Sequence, residues 1–201
     1  MKRIVKKSVL SVIAVLLAFS CLFVTVYADE SSVQEESKTE DAALLNDGQM
    51  NLDVVFVLDA SGSMLNSDPK KVAVDAYRLF VDLLDDTCGI GYVVYTHELI
   101  GKHDIVDISD KAALEETKEK MAAVKYDLDG FTDIALGLTE AKNMLVSDKF
   151  RNDQRQKVII LLTGGNTALP KGGRSLEDSN EEMDTTLMTL RDFHIPVYTV
   201  G

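Results

Sequence analysis

The chain is short of basic residues and almost without cysteine. Its 201 residues hold 21 Lys and Arg against 33 Asp and Glu, a net charge of −12. Four of those bases (Lys2, Arg3, Lys6, Lys7) lie in the first 28 residues, which contain no acid. The other 173 residues therefore carry −16. A surface of that sign cannot neutralise phosphates, which excludes duplex nucleic acid as a partner. The two cysteines are Cys21 and Cys88. Cys21 falls in the N-terminal apolar segment, so its removal leaves one thiol and no intramolecular disulfide. Cys88 reads as a small buried hydrophobe near a strand start.

Signatures of catalysis are missing as well. Neither Gly-x-Gly-x-x-Gly nor Gly-x-x-x-x-Gly-Lys-Ser/Thr occurs, so nucleotide binding lacks its phosphate loop. The run Lys171, Gly172, Gly173, Arg174 reads as a mobile surface turn. His97, His103 and His194 are not at zinc-ligand spacing and no Cys pair supports them, so they read as core-edge or surface residues. No Gly-x-Ser-x-Gly elbow surrounds Ser61 or Ser63, and neither Ser has a base in its sequence neighbourhood. A strand ending in Asp also opens phosphatases that form an aspartyl-phosphate, but their second acid would stand where Ser61 stands. The sequence predicts a protein that is not an enzyme.

What is present falls into three parts. Residues 1–28 combine the basic start with an apolar, uncharged run over 8–26, then Val26, Tyr27 and Ala28 with small residues at −3 and −1. This is the layout of a signal peptide cleaved after Ala28. The run has 19 residues, enough to span a bilayer as an uncleaved signal anchor. The membrane is then a partner only through this segment, and the positive-inside rule sends the rest outward. Both readings predict an extracytoplasmic location, secreted or cell-surface. A lipoprotein signal at Cys21 fits poorly, because Ala18 replaces the branched aliphatic wanted three residues earlier. Residues 29–51 carry seven acids and one Lys, which predicts a solvated acidic spacer. No internal repeat or sustained heptad is present.

From residue 52 apolar runs alternate with amphipathic segments. Strands are predicted over 53–59, 89–95, 99–106 (weaker), 157–162 and 195–200. Helices are predicted over 69–84, after Asp110 as cap, over 133–146 and over 181–193. In the first helix Ala73, Ala76, Tyr77, Phe80, Leu83 and Leu84 form the expected core face. The alternation predicts an α/β fold: a doubly wound, mainly parallel sheet flanked by helices on both faces.

In such a sheet ligands bind beyond the carboxyl ends of the strands. The first strand ends in Asp59, Ala60, Ser61, Gly62, Ser63. One carboxylate and two hydroxyls within five residues are hard oxygen donors, suited to Mg²⁺, Ca²⁺ or Mn²⁺. Taken singly, Ser61, Ser63 and Thr132 also read as helix caps and Asp59 as a strand-end turn residue.

The segment Val-Phe-Val-Leu-Asp-Ala-Ser-Gly-Ser-Met over 55–64 resembles the opening strand and D-x-S-x-S motif of von Willebrand factor type A domains. Gly-Phe-Thr-Asp-Ile over 130–134 is similar to the family's threonine loop. Val-Ile-Ile-Leu-Leu-Thr over 158–163 and Ile-Pro-Val-Tyr-Thr-Val-Gly over 195–201 extend the match across 52–201. The resemblance implies a Rossmann-like fold and a metal ion-dependent adhesion site with Asp59, Ser61, Ser63 and Thr132 as ligands. It further implies a protein or extracellular-matrix partner whose acidic group completes the metal shell. A metal-independent scaffolding domain of a surface complex is the alternative. One departure weakens the site. The family's Thr-Asp-Gly is here Thr163, Gly164, Gly165, so an acid is missing at Gly164 unless Asp133 or another acid compensates. Weaker cation binding is expected, with Gly164→Asp expected to tighten it. The family usually continues beyond the strand that ends near Gly201, which predicts a domain lacking its last elements.

Overall fold

A computed structural model describes residues 49–147 and 155–201. The signal segment, and the acidic spacer up to residue 48, lie outside the described residues. Among those described, no helix is long and apolar enough to cross a membrane.

Five strands form one sheet in the order β3-β2-β1-β4-β5. They are β1 (Leu52–Asp59), β2 (Gly89–Tyr95), β3 (Leu99–Asp107), β4 (Gln156–Leu162) and β5 (Val197–Val200). Helices α1 (Met64–Ser67) and α2 (Val72–Leu83) join β1 to β2, while α3 (Lys111–Ala122) and α4 (Ile134–Val146) lie between β3 and β4. Helix α5 (Leu176–Asp192) precedes β5. The pairs β1–β2, β1–β4 and β4–β5 are parallel, and only β2–β3 is antiparallel. The predicted mainly parallel α/β sheet is the observed one. The antiparallel step is short-range: only three residues separate β2 from β3, too few for the crossover that a parallel pair requires.

The apolar run of β1 serves both faces, because side chains alternate along a strand. Val54, Phe56 and Leu58 enter one core with Val74, Tyr77, Val81, Leu114 and Met121 from α2 and α3. Val55 and Val57 enter the other with Leu138, Ala141, Leu145 and Leu190 from α4 and α5. Residues Val54 to Leu58 are at most 2% exposed, each aliphatic or aromatic side chain contributing about 1.5–3 kcal/mol by burial. The central position of β1 follows from this two-sided burial.

Three predicted elements shift. Helix α2 starts at Val72 rather than 69, because Asp68 accepts from the backbone N–H of Val72 (2.7 Å) and Ala73 (2.9 Å). Its core stripe is Val74, Tyr77 and Val81; of the expected face Tyr77 and Leu84 are buried, Ala73 and Phe80 pack partly against the core, and Ala76 is exposed. Phe56 meets Tyr77 edge-to-face at 5.1 Å and Phe80 at 5.2 Å, which holds this face of the helix on β1. Helix α5 starts five residues early at Leu176, where Ser175 accepts from the Asp178 N–H at 3.0 Å. Strand β5 starts at Val197, two residues after the expected Ile195. Cys88 is buried as expected.

Candidate functional site

Asp59 is the last residue of β1, with β2 and β4 on either side, at the carboxyl ends of three parallel strands. The chain passes from β1 to its neighbour β2 and reaches β4 on the other side only after α4, so the strand order reverses across β1. Asp59 is 0% exposed. Its Oδ1 accepts from the Ser61 N–H at 2.9 Å, the strand-end turn its sequence position allows. Its Oδ2 accepts from the Thr163 hydroxyl at 2.9 Å, tying the end of β1 to the loop after β4. The Ser61 and Ser63 hydroxyl oxygens lie 3.0 Å apart.

The threonine loop reaches the same place through its backbone. Asp127 N–H donates to the Ala60 carbonyl at 2.8 Å, and Gly62 N–H to the Gly130 carbonyl at 3.0 Å. Gly62 is required by this approach, since a Cβ there would come within 2.6 Å of the Leu128 carbonyl oxygen. Thr132 then forms an antiparallel bridge with Ala168, donating at 2.7 Å and accepting at 2.8 Å. Three loops are thus laced together by main-chain bonds around Asp59. Ser61 and Thr132 are buried whereas Ser63 is exposed, so the group opens to solvent on the Ser63 side.

Helix capping does not account for the hydroxyls. Ser63 occupies the first position before α1 but makes no side-chain cap bond. At α4 the cap is Asp133, accepting from Leu136 N–H, and not Thr132. Capping therefore leaves these side chains free as oxygen donors.

Charge balance marks Asp59 off from the other buried acids. Among the described residues three carboxylates are buried: Asp53, Asp59 and Asp133. Asp53 pairs with Arg155 at 3.1 Å, and burial still pushes its carboxyl above the usual range against that pairing. Asp133 pairs with Arg174 at 2.9 Å and accepts from the Ser179 hydroxyl at 2.7 Å. For Asp59 no Arg, Lys or His among the described residues lies within ion-pair distance. A buried, unpaired carboxylate is costly, and a cation is the group that would relieve it. Tyr95 walls the site from beneath; burial first, then the Asp59 charge, drives its phenol far above the usual value, so it stays neutral.

The donor set fits a hard cation: one carboxylate with hydroxyl oxygens. No group of three His, Cys, Asp or Glu is assembled among the described residues, so hydroxyls must supply most of any shell. Asp133 does not replace the missing acid. Both its oxygens are committed, Oδ1 to Ser179 and Leu136 and Oδ2 to Arg174. At Gly164 a Cβ would fall on the Ser67 hydroxyl and 2.9 Å from the Met64 sulfur. The space an acid would need is filled by α1.

Three contributors escape the sequence reading. Thr163 holds Asp59, yet sequence alone shows it only as the residue before Gly164. Ser67 fills the acid's space, and no spacing rule points to it. Arg174 belongs to the run read as a mobile turn, but it is anchored to Asp133, to the Asp178 carbonyl at 2.9 Å and to Glu182. Its signal was a lone base ahead of Glu177, Asp178, Glu181 and Glu182. Of the histidines, His103 stacks near Tyr92 (5.9 Å) at the core edge, and His194 is exposed.

A family model described as von Willebrand factor type A domain matches residues 53–201. The pilus adhesin SpaC from Lactobacillus rhamnosus GG superposes with a TM-score of 0.55 at 18% identity, over 75% of this chain and 24% of that one. Proximal thread matrix protein 1 from the mussel byssus, solved with a zinc-occupied MIDAS motif, gives 0.54 at 16% identity, over 76% and 38%. BatB from Bacteroides thetaiotaomicron gives 0.51 at 21% identity, over 75% and 66%. The chain thus spans about a quarter of the pilus adhesin and under two-fifths of the thread protein. These likenesses concern the fold. No curated protein sequence matches.

Proposed function

The chain belongs to the von Willebrand factor type A domain family, and on that premise we propose that it is an extracytoplasmic binding module using a divalent cation. Residues 1–28 would export it, 29–51 would hold it off a surface, and 52–201 would form the binding domain. Asp59, Ser61, Ser63 and Thr132 would hold the ion, Mg²⁺ first and Ca²⁺ or Mn²⁺ next. When bound, the ion supplies an open coordination position for an acidic group of a protein or matrix partner. The role is binding and not catalysis.

The observation that carries this reading is the buried Asp59 carboxylate with no described cationic partner, beside Asp53 and Asp133, each held by an arginine. What the protein's own residues do is arrange oxygen. Thr163 and the Ser61 N–H orient the Asp59 carboxylate. The Thr132–Ala168 bridge fixes the backbone of the threonine loop. With one carboxylate in place of two, the site binds a cation weakly and gains from an incoming acid. The packing of Ser67 against Gly164 favours a second reading, a metal-independent scaffold.

Thermal unfolding with increasing Mg²⁺ separates the two. The native chain is stabilised by an amount set by mass action, about 2.7 kcal/mol at one hundred times Kd. Asp59→Ala and the isosteric Asp59→Asn show no Mg²⁺ dependence. Equal melting of native chain and variants at millimolar Mg²⁺ leaves the scaffold reading standing.

A further inference from the structure

The loop that carries Thr132 also shows two large apolar side chains to solvent. Leu128 is 81% exposed and Phe131 is 43% exposed. Both are on backbone that is held firmly against the site. The Leu128 carbonyl abuts Gly62, between the two serines. Phe131 directly precedes Thr132; its N–H donates to His97 Nδ1 at 3.3 Å, and its ring meets the imidazole edge-on at 5.7 Å. The turn between them is closed by Gly130 N–H to the Asp127 carbonyl (3.0 Å) and Asp129 N–H to the Asp127 carboxylate (3.1 Å).

An ordered loop that keeps a leucine and a phenylalanine in water beside the candidate site forgoes their burial and leaves apolar area there for a ligand. Aromatic anchors beside a polar contact are where binding energy concentrates. The charge around the pair narrows the partner. Asp127 and Asp129 flank Leu128 and are exposed, so a ligand bearing several acids is repelled. A single carboxylate attached to an apolar body meets less of this repulsion.

We propose that Leu128 and Phe131 form the apolar half of the ligand surface. Together with the cation at Asp59 they select an acidic group borne on, or next to, a bulky apolar group. This rests on the cation reading above.

Three small probes test it on the whole chain by saturation-transfer NMR titration in Mg²⁺: acetate, 3-phenylpropionate and 3-phenylpropan-1-ol. Phenylpropionate is expected to bind about tenfold more tightly than acetate, from partial burial of its ring. The alcohol, lacking the carboxylate, is expected to bind least. Leu128→Ser with Phe131→Ser removes the tenfold preference, so that phenylpropionate binds no more tightly than acetate. Mg²⁺-dependent acetate binding with no gain for phenylpropionate overturns this inference alone. A preference that survives the double variant overturns it as well. No Mg²⁺-dependent signal for any probe overturns the cation reading and this inference together.

Discussion

Gly164 lies so close to Ser67 that the two positions cannot both carry side chains without movement: a Cβ at 164 falls on the Ser67 hydroxyl. Gly164→Asp alone is therefore expected to destabilise the protein by about 1–3 kcal/mol through overpacking, with no gain in metal affinity. Gly164→Asp with Ser67→Gly opens the space and is expected to bind Mg²⁺ more tightly than the native chain. Calorimetric titration of both variants checks this. Tighter binding by the single variant would show that Ser67 yields easily.

Thr163→Val keeps the side-chain shape and removes the donor to Asp59 Oδ2. A buried carboxylate then loses one of its two hydrogen bonds, at a cost of about 1–3 kcal/mol. Urea denaturation in EDTA measures this without interference from metal. Saturating Mg²⁺ is expected to restore more stability in the variant than in the native chain if the cation occupies the same carboxylate.

Arg174 is partly exposed but its partner Asp133 is buried. Arg174→Met leaves that charge uncompensated, with a loss of about 2–4 kcal/mol expected once the guanidinium's solvent access is discounted. Asp133→Asn in the same background is expected to recover part of the loss, since the amide carries no charge to orphan. A double-mutant cycle on unfolding free energies gives the coupling; a coupling near zero would remove Arg174 from the site's support.

Two loop aspartates contribute to acid stability. Burial raises the Asp68 carboxyl, but bonds from Ala73 N–H, the Tyr126 hydroxyl and Val72 N–H outweigh it and hold the group below the usual range. Burial raises Asp85 likewise, and bonds from Thr87, Met50 and Cys88 hold it down. A carboxyl depressed in the folded state stabilises above its unfolded value of about 4 and loses that contribution as pH falls through it toward the folded value. Stability by urea denaturation is thus expected to drop below about pH 4. Asp68→Asn with Asp85→Asn is expected to be less stable at pH 7 and to show a shallower acid limb. Asp53, raised by burial, works in the opposite direction and does not supply the drop.

The division between what was legible in the chain and what was not follows from range. Helix α3 was readable because Asp110 sits at its start and Leu114, Thr117, Met121 and Val124 recur at helical spacing; the structure caps it at Ala113 N–H, 3.1 Å away, and buries the first three, while Val124 falls past the end at Ala122 and is half-buried. The candidate donors Asp59, Ser61 and Ser63 were readable because five adjacent residues hold them. The approach of the threonine loop to them rests on the bond from Gly62 N–H to the Gly130 carbonyl, which no local pattern announces. The face of α2 was legible in part: Tyr77, Phe80 and Leu84 turn toward the core that holds Phe56 as their spacing predicts, whereas Val74 and Val81 complete the stripe and Ala76 is left in solvent.

The acid missing at Gly164 shows the same split at one position. The amino-acid order alone determined that no carboxylate stands there and that residues 29–201 carry an excess of acids. Only the tertiary structure decided what the absence means, since Ser67 packs against Gly164 across 97 residues of chain and Arg174 pairs with Asp133 across 41. Sequence separation carries no information about such contacts. Ser67 fills the gap, Arg174 claims Asp133, and Asp59 is left as the one buried carboxylate with no described cation beside it.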